Sequence, residues 1–200
     1  MTNHDNIDPF PVLSVPPEDK RENDPWEMVE KTTRMFSGKV FAADVLDVKL
    51  HTGHTSKREI VRHNGGAAIL PLDKDMNVYA VRQFRAPFMQ VLTEIPAGKL
   101  ETGEDPKEAA IRELSEETGF VAEQVIDLGT IYPSPGYCAE TLHLFLAIGL
   151  KEGESHPDPG EELYVEKIPL TILLEKIEKN EIHDAKTVVA VLKTARRMNL

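Results

Sequence analysis

The sequence predicts an α/β protein in which helices cover a sheet and a small antiparallel sheet lies on the N-terminal side. Three observations support this class. Runs of β-branched residues begin at about residue 38, one strongly capped helix pattern follows near the middle, and two amphipathic helix patterns come near the end. A chain of 200 residues allows one domain of ordinary size, or one with a small appended subdomain.

The first strands are predicted to form two hairpins. KVFAADVLDVKL and KREIVRH flank the turn HTGHTS, whose Gly53 suits a tight turn. GGAAILPL and NVYAVRQF flank the polar turn DKDM. We expect these two runs to form a second hairpin with one buried strand.

The central helix is predicted from Pro106 to Thr118. Asp105 can cap its N-terminus, and Pro106 suits the first helical position. Gly119 suits the left-handed residue that ends a helix. Strands are then expected near QVIDLGTIY, ETLHLFLAIGL and LYVEKI, and helices over LTILLEKIEKN and DAKTVVAVLKTARRM.

Composition divides the chain into three expected regions. Residues 1–34 are rich in proline and charge, which predicts an N-terminal arm that is partly extended or disordered. Residues 35–64 form the expected small β subdomain, which we assign to dimerisation, and residues 65–200 form the main domain.

Charge and composition argue against several partners. Lys and Arg total 23 against 34 Asp and Glu, so the net charge is -11 and no nucleic-acid partner is expected. No apolar run approaches the roughly 18 residues of a membrane span, so no membrane association is expected. The single cysteine, Cys138, and an opening without a signal-peptide pattern predict a cytoplasmic protein.

The central helix concentrates carboxylates on one face. Glu113, Glu116 and Glu117 are three and four residues apart near its C-terminal end. Negative charge is unfavourable there, because a helix C-terminus carries partial negative charge, and Arg112 supplies one cation. A divalent cation such as Mg²⁺, which prefers oxygen ligands, would balance these carboxylates. A solvated acidic face is the structural alternative.

The spacing around this helix resembles the signature of the Nudix hydrolases. Gly98 is followed after five residues by Glu104, and after seven more by RELSEETGF from Arg112 to Phe120. The signature is Gly-x5-Glu-x7-Arg-Glu-apolar-x-Glu-Glu-x-Gly-apolar, and the chain matches it without a departure. The resemblance implies a Nudix α/β/α sandwich with a mixed sheet, and hydrolysis of a nucleoside diphosphate linked to another group.

The resemblance also implies roles for the signature residues. The expected ligands of Mg²⁺, or of Mn²⁺, with two or more ions per site, are Glu113, Glu116 and Glu117. Glu117 is also counted among the catalytic candidates. Glu104 and Arg112 would brace the loop and the helix by ion pairing, and Gly98 and Gly119 would form turns that a side chain would obstruct.

Further stretches resemble the ADP-ribose pyrophosphatase branch: VRQFRAP, EIPAG, SPGYCAE and NEIHDAKTV. In that branch the alanine carbonyl of the second stretch, here Ala97, is a further metal ligand. The expected substrate contacts are Arg85, Arg82, Glu94, Pro135 and Gly136. Arg82 and Arg85 are three residues apart, so they share one strand face only if the strand bends or ends there.

The resemblance places the base that activates water on a loop outside the signature. Glu161, then Glu162, are the candidates in the acidic loop, and Glu140 is the alternative base or a substrate contact. Relatives in the branch are homodimers in which one N-terminal sheet helps to close the partner's site. A homodimer with a shared site is therefore expected, with Trp26 or Phe36 as candidates to stack on the adenine.

The implied activity is Mg²⁺-dependent hydrolysis of ADP-ribose to AMP and ribose 5-phosphate. Another nucleoside diphosphate sugar or a dinucleotide is the alternative substrate, because the signature acts on the diphosphate and not on its ends. A non-catalytic nucleotide-sensing module or an acidic interaction protein is the alternative from another class. No signature carboxylate is missing, which favours the enzyme.

Overall fold

The computed structural model describes residues 25–153 and 162–200. The strands in this part of the chain are β1 (Glu27–Ser37), β2 (Ala42–Leu50), β3 (Thr55–Arg62), β4 (Gly66–Pro71), β5 (Asn77–Arg85), β6 (Gln90–Glu94), β7 (Ala97–Lys99), β8 (Phe120–Ile131), β9 (Leu142–Glu152) and β10 (Leu163–Pro169). The helices are α1 (Pro106–Thr118), α2 (Leu170–Glu178) and α3 (Ala185–Arg197).

The described chain divides into two compact units. The first contains residues 25–64 and 134–140, and the second contains residues 65–133, 141–153 and 162–200. The first unit is built on the antiparallel sheet β1-β2-β3. Its first strand begins at Glu27, so residues 27–34 of the expected arm are part of a strand. The structure does not describe residues 1–24.

The second unit contains a mixed sheet in the order β7-β4-β9-β8 and an antiparallel sheet in the order β10-β5-β6. In the mixed sheet β4 runs parallel to β9 and antiparallel to β7. Strand β4 is buried throughout, because helices pack against both of its faces. Its apolar residues are therefore continuous in sequence, as expected for a central strand.

The helices lie on opposite faces of the mixed sheet. Ala110 and Leu114 of α1 pack with Ala67 and Ile69 of β4, and burying a leucine such as Leu114 contributes about 2 kcal/mol. The alternate residues of β4 belong to a second apolar core with residues of α2 and α3: Ala68, Leu70, Leu170, Leu173, Ala190 and Val191. The predicted α/β/α sandwich and the small N-terminal antiparallel sheet are confirmed.

One predicted pairing is wrong. β4 and β5 do not form a hairpin, since they belong to different sheets and only an isolated bridge, Leu72 to Val78, connects their ends. The physical reason is that β4 needs partners on both edges in the centre of the mixed sheet, and β7 and β9 occupy those edges. Within residues 25–153 and 162–200, no helix is long and apolar enough to span a membrane.

Candidate active site

Helix α1, which carries the acidic face, has a well-defined cap at each end. The Asp105 carboxylate accepts hydrogen bonds from the backbone N–H groups of Lys107 at 2.9 Å and Glu108 at 3.2 Å. At the other end Gly119 is left-handed, with φ 73°, and its N–H donates to the Ser115 carbonyl at 2.9 Å. These caps fix the last turns of the helix, and with them the carboxylates that the turns carry.

Two of these carboxylates are buried. Glu113 is 8% exposed and Glu117 is 4% exposed, whereas Glu116 is half-buried. Glutamate is almost never buried without a compensating positive group. The C-terminal end of a helix makes the burial of negative charge still less favourable. A solvated acidic face therefore does not account for Glu113 and Glu117.

Strand β7 approaches Glu113 so closely that any side chain at residue 98 would displace the Glu113 carboxylate. A Cβ atom added to Gly98 would lie 1.8 Å from Glu113 Oε1 and 2.1 Å from its carboxyl carbon. Such contacts are far inside van der Waals distance. Gly98 thus allows the Glu113 carboxylate to lie directly against the backbone of β7.

Arg112 is the centre of the ion pairs around the signature. Its Nε donates to Glu104 Oε1 at 3.0 Å, and its Nη1 donates to Glu113 Oε1 at 2.7 Å and to Glu116 Oε2 at 2.9 Å. Glu104 Oε2 accepts a hydrogen bond from the Glu101 N–H at 2.9 Å. One guanidinium therefore ties the loop before α1 to two carboxylates of the helix.

These contacts shift the titration of both partners. The hydrogen bond to Glu104, followed by the charge of Glu113, raises the pKa of Arg112 despite its partial burial. The same Arg112 hydrogen bond lowers the pKa of Glu104. The four side chains of this cluster carry one positive and three negative charges.

A second charged cluster lies around Glu94, at the end of β6. The Glu94 carboxylate, 2% exposed, accepts two hydrogen bonds from Arg85, both at 2.7 Å. It also accepts a hydrogen bond from Lys186 Nζ, which donates in turn to Asp184 at 3.0 Å. Two cations and two anions are thus balanced within the cluster.

Burial alone would raise the pKa of Glu94, but the Arg85 hydrogen bonds and the Lys186 charge outweigh it and lower the pKa to about 2. The hydrogen bond to Glu94 raises the pKa of Arg85. The charges of Asp184 and Glu117 act in the same direction on Arg85. Arg85 is therefore within electrostatic range of the acidic face of α1 as well as of Glu94.

The donor set on α1 and β7 suits a hard cation. Glu113, Glu116, Glu117 and the carbonyl of Ala97 carry oxygen atoms, the ligand type that such a cation prefers. Among the described residues, no three acidic, histidine or cysteine side chains are already grouped so as to hold a metal ion. Arg112 engages one oxygen of Glu113 and one of Glu116. These side chains would have to rotate out of their present hydrogen bonds to bind a cation together.

The two arginines predicted to contact substrate lie on opposite faces of β5. Residues 81–85 pair with residues 94–90 of β6 without a register shift, and Val81 is directly opposite Glu94. Arg85 is four residues beyond Val81, so it shares that face with Glu94. Arg82 is exposed on the other face, so the structure does not bring Arg82 to the Glu94 cluster.

Three further candidates lie in the first unit. Pro135 and Gly136 are exposed in the segment that precedes Tyr137. Glu140, in the same segment, has an oxygen 3.6 Å from Nδ1 of His63. Of the base candidates in the acidic loop, Glu161 lies outside the described residues and Glu162 is exposed just before β10.

The candidates for adenine stacking also lie in the first unit. Trp26 is 36% exposed and Phe36 is 51% exposed. Phe36 packs against Phe41, with the ring centroids 5.3 Å apart.

Lys186 and Asp184 were not predicted as site residues. Asp184 caps α3, accepting from the Thr187 N–H at 3.0 Å, and Lys186 lies in the first turn. A cation is unfavourable there, because the helix N-terminus carries partial positive charge. A lysine in the first turn of a well-capped helix was therefore the sequence feature that could have revealed an anionic partner.

Comparisons with known proteins agree with this fold and site. The family model of the NUDIX domain matches residues 62–190, and the chain therefore belongs to the Nudix family as a hydrolase. It is 42% identical to the ADP-ribose pyrophosphatase of Bacillus subtilis (strain 168) over 160 residues, which cover 79% of this chain and 86% of that protein. It is 44% identical to the methanol dehydrogenase activator of Bacillus methanolicus over 167 residues, which cover 82% of this chain and 90% of that protein.

A solved structure has the same fold. The crystal structure of an ADP compounds hydrolase aligns with a TM-score of 0.77 over 90% of this chain and 97% of that one, at 21% sequence identity.

Proposed function

We propose that this protein hydrolyses the diphosphate bond of ADP-ribose and releases AMP and ribose 5-phosphate. The observation that carries the proposal is the burial of two carboxylates on one helix, Glu113 and Glu117, of which Glu113 lies against Gly98. The 42% identity to an ADP-ribose pyrophosphatase supports the choice of substrate within the family.

Mg²⁺ is the proposed cation, with Mn²⁺ as a substitute and two or more ions per site. Glu113, Glu116, Glu117 and the Ala97 carbonyl would hold it. When bound, the cation would neutralise phosphate charge and lower the pKa of a coordinated water. Arg112 and Glu104 would hold the loop before α1 against the helix while the carboxylates bind the cation.

Arg85 is the proposed contact to the diphosphate. Its Nε and Nη2 donate to Glu94, so the planar guanidinium is held at one edge. Its Nη1 group points away from that edge and can donate to a phosphate oxygen. A guanidinium fixed in this way does not have to lose rotamer freedom when the substrate binds.

The proposed general base is Glu161, with Glu162 as the second choice and Glu140 as the alternative. Glu161→Gln should lower kcat by about 100-fold and leave substrate affinity near normal, because an amide cannot accept the proton from water. Parallel Glu162→Gln and Glu140→Gln variants serve as comparisons. Full activity of Glu161→Gln would transfer the role to whichever of the other two variants loses turnover.

We also propose that the protein is a homodimer with a shared site, in which Trp26 or Phe36 stacks on the adenine. Sedimentation would measure the oligomeric state. Trp26→Ala and Phe36→Ala would then separate adenine stacking from catalysis, since loss of stacking raises KM for ADP-ribose by about tenfold and leaves kcat similar.

A second candidate function has its own support. The 44% identity to a methanol dehydrogenase activator suggests that this protein activates a methanol dehydrogenase. Adding the protein to a methanol dehydrogenase should then increase its rate. The Glu117→Gln variant would show whether the increase depends on the acidic helix.

A product assay tests the main proposal. The protein is incubated with ADP-ribose, with other nucleoside diphosphate sugars and with dinucleotides, in Mg²⁺ and in chelator, and the nucleotide products are separated by chromatography. We expect AMP from ADP-ribose at the highest rate, and no product in chelator. Preferred cleavage of another compound would replace the substrate, and cleavage of none would favour the nucleotide-sensing module.

A further inference from the structure

Lys186 occupies an unfavourable position. It is 7% exposed and lies in the first turn of α3, where the helix dipole opposes positive charge. Lysine is almost never buried unless it is paired. Its two partners are the carboxylates of Glu94 and Asp184. Two unfavourable features, burial and the dipole, are thus offset by these two ion pairs.

Glu94 connects Lys186 to Arg85 through a single oxygen. Glu94 Oε2 accepts from Arg85 Nη2 at 2.7 Å and also from Lys186 Nζ, while Oε1 accepts from Arg85 Nε at 2.7 Å. The carboxylate is therefore held from two sides and cannot rotate without breaking a charge-assisted hydrogen bond. The orientation of the Arg85 guanidinium follows from that of Glu94.

The N-terminus of α3 also fixes Ile95, the residue that follows Glu94. Thr187 Oγ1 accepts a hydrogen bond from the Ile95 N–H at 2.8 Å, and its hydroxyl donates to Asp184. Lys186 and Thr187 thus bind two consecutive residues, Glu94 and Ile95. These residues lead directly into β7, which carries Ala97 and Gly98.

We propose that Lys186 is a positioning residue that locks Glu94 and, through Glu94, holds the Arg85 guanidinium towards the diphosphate. The proposal rests on the proposed function, because it concerns the same site. Without Lys186, the net charge of the cluster changes from zero to -1 and Glu94 has one cationic partner in place of two. Arg85 is then held less firmly and lies in a less positive field, and both effects weaken binding of an anionic diphosphate.

The first test separates positioning from general structural support. Lys186→Met is compared with Lys193→Met, which removes the same charge from the same helix but only a hydrogen bond to the Leu128 carbonyl. We expect Lys186→Met to raise KM for ADP-ribose by about tenfold with a smaller fall in kcat, and Lys193→Met to stay within about twofold. Lys186→Arg keeps the charge and should recover part of the loss.

The second test does not depend on activity. The Arg85 Nε–H signal in a ¹⁵N–¹H spectrum is assigned by its loss in Arg85→Lys, and its exchange with solvent is measured. We expect exchange to be about tenfold faster in Lys186→Met and unchanged in Lys193→Met. If Lys186→Met does not fold, Lys186→Gln replaces it, since the amide removes the charge but still fits the site.

The two tests have distinct outcomes. An unchanged Arg85 signal in the folded Lys186 variant overturns the proposal, even if KM rises. Equal losses of kcat and of kcat/KM would also overturn it, because they would indicate damage beyond binding. A wild-type protein that does not cleave ADP-ribose, but whose Arg85 signal responds to Lys186→Met, would reject the proposed substrate and keep the link from Lys186 to Arg85.

Discussion

The two charged clusters of the second unit differ in their balance of positive and negative charge. In the first, one guanidinium, that of Arg112, pairs with Glu104, Glu113 and Glu116. In the second, Arg85 and Lys186 pair with Glu94 and Asp184. The first cluster has an excess of negative charge, and the second is balanced.

This difference separates two tasks. A balanced, buried cluster satisfies its own charges and can hold a side chain in one orientation. A cluster with excess carboxylates remains unfavourable until a cation binds. The acidic helix therefore suits binding of a cation, and the Arg85 cluster suits positioning of a fixed positive group.

The largest effect is expected from the acidic cluster itself. Glu117→Gln should lower kcat for ADP-ribose by about 100-fold or more, because it removes the charge of a proposed cation ligand. Glu108→Gln, an exposed glutamate on the same helix, is the matched control and should keep wild-type activity. Rates at several Mg²⁺ concentrations check both variants. Wild-type activity of Glu117→Gln would exclude Glu117 as a cation ligand.

A steric change at the edge of the same cluster should have the next largest effect. Gly98→Ala places a Cβ atom 1.8 Å from Glu113 Oε1, so the carboxylate must move. We expect a fall of about 1–3 kcal/mol in the free energy of unfolding and the loss of most activity. Gly53→Ala, where φ is 88° and a Cβ atom would meet nothing within 4 Å, shows for comparison the effect of backbone strain without a steric clash. Urea titration and the product assay give both readouts.

The ion pairs of Glu94 in the balanced cluster should make the free energy of unfolding depend on pH. The pKa of Glu94 is about 2 in the folded protein, against an ordinary value of 4.5. A lowered pKa stabilises the fold above the ordinary value, and this stabilisation is lost as pH falls from about 4.5 to about 2. Glu94→Gln should therefore cost about 3 kcal/mol at pH 7 and much less near pH 2.5, measured by urea unfolding across that range.

A matched carboxylate makes this test specific. The pKa of Asp73 is also lowered to about 2, because hydrogen bonds from Lys167 and Asn77 outweigh the effect of burial. Asp73→Asn should show a similar dependence on pH without changing KM for ADP-ribose. A cost of Glu94→Gln that does not vary with pH would contradict the assignment of a charged Glu94.

The smallest effect is expected at Arg82. It lies on the face of β5 opposite Arg85, so Arg82→Ala should change KM for ADP-ribose by less than about threefold. Arg85→Ala in the same assay should raise KM by about tenfold or more. A similar rise of KM in the two variants would show that the face of β5 on which an arginine lies does not decide substrate binding.

Local sequence patterns predicted the elements whose ends or buried faces are specified by residues within the element or next to it. The bounds of α1 follow from Asp105, Pro106 and Gly119, and α2 and α3 follow from periodicity. Strands β6 and β7 were not predicted, because they are short and a proline interrupts them at residue 96. Strand β1 was not predicted, because its side chains are largely exposed and lack a core-forming pattern.

The sequence by itself determined the family and the acidic helix, because spacing along one helix fixes which carboxylates share a face. Only the tertiary structure decided the partners of those charges. The hydrogen bond from Lys186 to Glu94 joins residues 92 positions apart, and the register of β5 with β6 decides which arginine faces Glu94. Such choices depend on which strands and helices become neighbours, which no local pattern specifies.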